Sequence, residues 1–167
     1  MLKSLTIKNS YDFTCPLEVH STYSQAQILA GLEYYKEDFY GPMLEGVRYF
    51  KDKDLDIFFV TLNKSDKEFS EGTLYEDYAI NEVLFHWQTQ NSVKADSKIA
   101  NRYINSNGRV SLFVREYTKV DGKTSPYIYL GEATYVSHEG NRPVSFVWKL
   151  KNPIPGKFIS EANKNVL

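Results

Sequence analysis

The chain predicts an α+β fold that is mainly β: a small, mostly antiparallel barrel or half-barrel with one N-terminal helix and one inserted helix. Three observations predict it. After Gly46, six short runs rich in Val, Ile, Phe, Tyr and Trp follow one another, separated by Gly, Asn and Asp turn residues. Only two windows keep helical spacing, one before the first run and one between the third and fourth. The 167 residues contain no internal repeat, low-complexity tract or Gly/Ser linker, so residues 1–167 form a single domain, with its core at about 17–155. A chain of this length buries roughly two-thirds of its unfolded surface without help from disulfides or metals.

The N-terminal helix is announced by Tyr23-Ser24-Gln25-Ala26-Gln27-Ile28. Ser24 suits the cap position, Gln27 can reach back to complete a capping box, and Tyr23 with Ile28 suits a hydrophobic staple. Leu29, Leu32, Tyr35 and Phe39 continue the apolar spacing, which predicts about four turns lying on a sheet or plugging a barrel end. The β runs follow at 46–50, 55–62, 83–89, 110–117, 127–136 and 143–150. Asp121-Gly122 and Glu139-Gly140-Asn141 provide turn chemistry between them. The inserted helix is expected over 96–104, with Ile99 and Tyr103 four apart and Asn107-Gly108 closing it. From about residue 151, Lys-Asn-Pro-Ile-Pro-Gly breaks regular structure, so a flexible tail is expected there.

Charge and cysteine content bound the function. The formal net charge of −1 argues against a generic polyanion binder. It is unevenly spread, however: residues 1–90 carry 8 Lys/Arg against 15 Asp/Glu, and residues 91–167 carry 12 against 6. The halves can therefore form a dipolar surface, or their charges can intermix on folding. A lone cysteine, Cys15, forms no intramolecular bridge, no apolar run reaches a bilayer span, and no secretion-signal layout is present. A cytoplasmic protein with no membrane partner is the expectation.

The most informative window is 77–90, Asp-Tyr-Ala-Ile-Asn-Glu-Val-Leu-Phe-His-Trp-Gln-Thr-Gln. Val83, Phe85 and Trp87 suit the buried side of a strand, while His86, Gln88 and Gln90 alternate with them and project polar groups from the other side. Aromatic rings can sandwich a flat base and amides can read its edge, so Tyr78, His86, Trp87, Gln88 and Gln90 are the candidate readout surface. A satisfied strand wall is the competing reading. Tyr75 and Asp77 precede this face and can converge with it. Lys64, beside Ser65 at a strand exit, Arg102 on the inserted helix and Lys149 are the candidate phosphate contacts. Arg115 suits a structural ion pair across the sheet.

Catalytic signatures are poor. The chain has no Gly-rich phosphate loop, no His-Glu-x-x-His and no nucleophile elbow. His20, His86 and His138 lack metal-ligand spacing, so no metal site, cofactor or catalytic residue is expected. A nuclease built from Asp56, Asp77 and Glu82 serves as a control hypothesis.

Several motifs recur in a recognisable order: Phe58-Phe59-Val60-Thr61-Leu62-Asn63-Lys64, Tyr75-Glu76-Asp77-Tyr78-Ala79-Ile80, Leu84-Phe85-His86-Trp87-Gln88-Thr89-Gln90, Arg102-Tyr103-Ile104, Leu112-Phe113-Val114-Arg115-Glu116 and Tyr129-Leu130-Gly131. Tyr135-Val136-Ser137-His138-Glu139-Gly140, Arg142-Pro143 and Trp148-Lys149-Leu150 complete the set. Over roughly residues 17–155 the chain resembles the DUF3427 family. The resemblance implies the C-terminal module of bacterial DEAD/DEAH-type helicases, often with a phospholipase-D-like nuclease region, in restriction or phage defence. This chain carries neither helicase nor nuclease motifs, so it is expected to be an excised fragment or a standalone form acting with such a partner in cis or trans. The expected function is a DNA-binding accessory module that reads duplex DNA or a modified or flipped-out base. The alternative is a protein-interaction or autoregulatory domain that docks on a helicase core through Asp52, Asp54 and Asp56.

Overall fold

The computed structural model describes residues 6–34, 46–63 and 77–159. Its order is β1 (Ile7–Lys8), β2 (Glu18–Val19), β3 (Thr22–Tyr23), α1 (Gln25–Gly31), β4 (Val47–Phe50), β5 (Leu55–Asn63), β6 (Tyr78–Ala79) and β7 (Leu84–Gln88). Then follow α2 (Lys98–Ile104), β8 (Val110–Tyr117), β9 (Lys119–Val120), β10 (Lys123–Thr124), β11 (Tyr127–Glu139) and β12 (Ser145–Leu150). All six strands expected after Gly46 are present. The six two-residue strands escaped notice because a pair of residues has no period to detect.

The main sheet runs β4-β5-β8-β11-β12-β7-β6, with β3 added against β11. Every pairing is antiparallel except β5 with β8. β4 and β6 end the path and do not pair with each other, so the expected barrel is not closed. The sheet nevertheless curls. β5 and β7 stand four strand steps apart, about 19 Å in a flat sheet. Yet the Phe58 and Trp87 rings stack at 4.1 Å between centroids. Two register shifts in β11, between Tyr129 and Gly131 and between Tyr135 and Ser137, assist the bend. Gly131 sits at φ +92, where a Cβ would come within 3.3 Å of Val19 and 3.2 Å of Asn152. Glycine is required there by both backbone and space.

Curling creates two cores. One, inside the curve, gathers Phe58, Phe85, Trp87, Tyr103, Phe146 and Trp148 under α2. The other, on the reverse face, packs Leu17, Ile28, Leu32, Phe59, Phe113 and Tyr129 beneath α1 and the N-terminal segment. β5 contributes to both, which explains why Leu55 to Val60 are buried without alternation. The N-terminal segment is fastened by Ser10, whose Oγ donates to Glu132 at 2.8 Å, and by the Tyr11 hydroxyl against Ser111.

α1 begins where the sequence implies, α2 begins two residues later than expected, and both are short. Ser24 Oγ accepts from the Gln27 amide at 3.1 Å and the Ser24 amide donates to Gln27 Oε1 at 2.8 Å, the complete capping box. α1 spans 7 residues, about two turns rather than four, because Glu33 at φ +56 reverses the chain. Tyr35 and Phe39 lie outside the described residues. α2 is capped by Ser97 and ends before Asn107 and Gly108, both left-handed. Its buried side is Ala100 with Tyr103, whereas Ile99 is 42% exposed, a correction to the expected Ile99–Tyr103 pair. Within the described part of the expected loose tail, residues 151–159, Ile154 and Phe158 are buried in the first core and Ile159 bridges to Ala79, so that stretch is packed.

Candidate functional site

Strand alternation sorts the 77–90 window. On β7, Phe85 and Trp87 enter the core while Leu84, His86 and Gln88 face outward, half-buried. Register places His86 between Tyr78 of β6 and Val147 of β12, and Gln88 opposite Ser145. Lys149, two residues beyond Val147 on the same side of β12, is exposed. Tyr78, His86, Gln88 and Lys149 therefore share one outer face.

The centre of that face is a ring stack. Tyr78 and His86 lie 4.7 Å apart between centroids with an interplanar angle of 14°, and Tyr78 remains 43% exposed. Gln88 Nε2 donates to Ser145 Oγ at 3.0 Å, which orients the amide beside the stack. Asp77 closes the open end of the β6–β7 hairpin, its Oδ1 accepting from the Gln88 backbone amide at 2.9 Å, and Asn81 caps the turn by accepting from Val83 and Leu84. The resulting platform has an accessible phenol ring, an imidazole beneath it, an amide on one flank and an ammonium group on the other strand. Such an arrangement can stack a planar ring and attract an anion.

Three expected site residues do not join this face. Trp87 is only 6% exposed, stacked on Phe58 and met edge-on by Tyr103 inside the curl, so it serves the core and not the readout surface. The alternation already set Trp87 beside Phe85 on the buried side, and its place in the readout surface rested on ring chemistry alone. Gln90 follows the end of β7 in the turn that leads to α2, half-buried, its carbonyl receiving the Val93 amide. Arg102 belongs to another site. Its Nε and Nη2 donate to the two Asp56 oxygens at 2.9 and 2.8 Å, and the Tyr49 ring lies 4.0 Å beneath its guanidinium. That charge is already balanced, which corrects its assignment as a phosphate contact. Lys64, with Ser65 and Tyr75, lies outside the described residues.

The remaining charged candidates are also accounted for. Asp56 is 2% exposed, and burial pushes its carboxyl up against the opposing pull of Arg102. It is withdrawn from both the acidic docking face and the control nuclease, leaving Asp52 and Asp54 exposed at the β4–β5 turn. Among the described residues no group of three or more His, Cys, Asp or Glu is placed to hold a metal ion. Among the described residues Arg115 forms no ion pair; it donates to Thr61 Oγ1 at 2.9 Å and the Ser125 carbonyl at 3.0 Å, over the Tyr127 ring. Among the described residues no helix is long and apolar enough to cross a membrane.

The sequence reading missed Ser145, which positions Gln88, and a polar cleft around Arg102 lined by Asn101, Asn105 and Ser106. Asn101 and Asn105 four apart on the helix was the available signal. Comparison with curated proteins finds no match. The sequence pattern that defines DUF3427, a domain of unknown function, matches residues 17–161, so the chain belongs to the DUF3427 family.

Proposed function

We propose that this chain is a nucleic-acid-binding accessory module that reads DNA for a helicase or nuclease partner in a cytoplasmic restriction or phage-defence system. The observation that carries the reading is the exposed Tyr78 ring stacked on His86, flanked by Gln88 and Lys149. Stacking on an aromatic platform is the sequence-tolerant way to hold an unpaired or flipped base, and it works best where the partner ring is already fixed. His86 fixes Tyr78 in this way. Lys149 supplies the phosphate attraction, and the half-buried Gln88 amide supplies hydrogen bonding at the base edge.

The test is fluorescence anisotropy with labelled single-stranded and duplex DNA, plain and carrying modified bases, across a salt series. Binding that weakens as salt rises, and weakens further in Tyr78→Ala, supports the module. Absence of binding at low salt removes it, because phosphate contacts must respond to counterions.

The second reading, a docking domain for a helicase core, is favoured by the exposed carboxylates Asp52 and Asp54 on one turn. It predicts co-purification with a helicase that is lost when those two charges are reversed while DNA binding is unchanged.

A further inference from the structure

A cleft of about 280 Å³ opens between the β4–β5 turn and the outward side of α2, with Asp54 and Asp56 on one wall, Asn101, Arg102, Asn105 and Ser106 on the other, and Arg109 completing the lining. α2 packs over the side of the sheet that carries Trp87, opposite the side that carries His86. The cleft is therefore separate from the Tyr78–His86 face.

Its polar groups are incompletely used among the described residues. Ser106 is 8% exposed, and its Oγ is buried with no hydrogen-bond partner. Native proteins leave few such groups, and a ligand or water commonly completes them. Arg102 spends Nε and Nη2 on Asp56, which leaves Nη1 and the end-on edge of the guanidinium without a protein acceptor. Asn101 and Asn105 donate through Nδ2 to the carbonyls of Asp96 and Asn101, leaving both Oδ1 atoms as unfilled acceptors. Asp54 takes the Tyr49 hydroxyl on Oδ1 at 2.9 Å and keeps Oδ2 for another donor.

The electrostatics select against an anion. Asp56 neutralises Arg102, and Arg109, the other guanidinium on the lining, is paired with Asp12 and spends its remaining donors on the Asp54 and Lys53 carbonyls, so Asp54 leaves a negative excess and a phosphate would meet repulsion beside the one open fork. A neutral group with two adjacent acceptors fits that fork, and donors elsewhere on the same group would satisfy Asp54 and the asparagine oxygens. Guanine has this pattern: O6 and N7 form the acceptor pair that arginine grips bidentately, while its N1 and N2 hydrogens are donors. Adenine presents a donor beside N7 and would set it against the guanidinium. A cleft at the small end of the range for ligand sites, about 300–1,000 Å³, suits one base rather than a longer segment. We infer that this cleft binds a single guanine-type base, either free as a nucleoside or extruded from a strand.

Titrations of the ¹⁵N-labelled protein followed by NMR test this, with guanosine, adenosine and single-stranded oligonucleotides that contain or lack one guanine. Guanosine is expected to shift the amides from Asn101 to Arg109 and the Arg102 Nε–H saturably, with adenosine at least about tenfold weaker. Ser106→Ala, which breaks no bond within the protein, is expected to weaken guanosine about fivefold. Arg102→Lys keeps a cation beside Asp56 but removes the fork, and is expected to abolish the preference over adenosine. Tighter binding of the guanine-containing strand than of guanosine identifies an extruded base; equal or weaker binding identifies the free nucleoside. No shift at millimolar guanosine, equal affinity for guanosine and adenosine, or unchanged guanosine affinity in both variants overturns the inference. Shifts from DNA confined to Tyr78 and His86 would overturn it too, while leaving the proposed module standing.

Discussion

His86 and Trp87 are consecutive on β7 and belong to opposite sides of the sheet: the imidazole stacks on Tyr78 at 4.7 Å on the outer face, while the indole stacks on Phe58 at 4.1 Å inside the curl. One residue of register thus separates a group that can meet a ligand from one that holds the fold. Substitutions should separate accordingly. Trp87→Ala is expected to cost about 3–5 kcal/mol, the usual loss for emptying an aromatic core position. His86→Ala is expected to cost about 0.5–1.5 kcal/mol, the worth of an aromatic pair. Urea denaturation monitored by circular dichroism distinguishes the two, and equal losses would contradict this division of labour.

Tyr78 carries the stacking of a base in the proposed module. Each base stacked on an aromatic ring contributes about 1–3 kcal/mol, so Tyr78→Ala should weaken single-stranded DNA binding by about 5- to 150-fold with the fold intact. Tyr78→Phe should retain most of the affinity, because the ring face and not the hydroxyl is used. Anisotropy measured at fixed salt reads both values.

Lys149 acts through charge alone. Lys149→Ala should weaken binding similarly for all DNA sequences and lower the slope of log affinity against log salt by about 1. A sequence-selective loss would assign Lys149 to a base edge instead.

The Asp56–Arg102 pair joins β5 to α2. Arg102→Ala strands a carboxylate that is 2% exposed, and breaking such a pair costs about 3–5 kcal/mol. Pairing that change with Asp56→Asn should recover part of the loss, since no charge is then left buried. A double-mutant cycle in thermal unfolding measures the coupling.

The phenols of Tyr11 and Tyr129 give the molecule an alkaline limit. Burial raises both pKa values above the ordinary 10.0, and the nearby Tyr129 phenol raises that of Tyr11 further, while hydrogen bonding to Ser111 opposes the rise in both. Below pH 10 both states keep the proton, and stability is unaffected. Above it the unfolded chain loses protons that the folded chain retains, so stability falls with rising pH by about 1.4 kcal/mol per unit for each tyrosine. Denaturation curves between pH 9 and 11.5 should show this fall, and Tyr129→Phe should make it shallower.

The local devices of this fold were legible because each rests on adjacent residues. The Ser24–Gln27 capping box, the Asp121-Gly122 turn at φ +52 and +74, and the six longer strands all follow from chemistry contained within a few positions. The extents of the helices were less legible: a left-handed Glu33 ends α1 although the apolar spacing continues past it. The packing of Ile154 and Phe158 was hidden beneath a Pro-rich stretch, since irregular backbone can be as firmly buried as a strand.

By itself the sequence determined a mainly β domain with two capped helices, the alternation that turns His86 and Gln88 away from Phe85 and Trp87, and the motifs of the family. Tertiary structure alone decided the parallel β5–β8 pairing, the curl that brings Phe58 onto Trp87, and the fate of each charge. Periodicity is a property of neighbours in the chain. Whether Arg102 greets solvent or Asp56, 46 residues away, depends on where the sheet bends, and that is settled only when the two cores pack together.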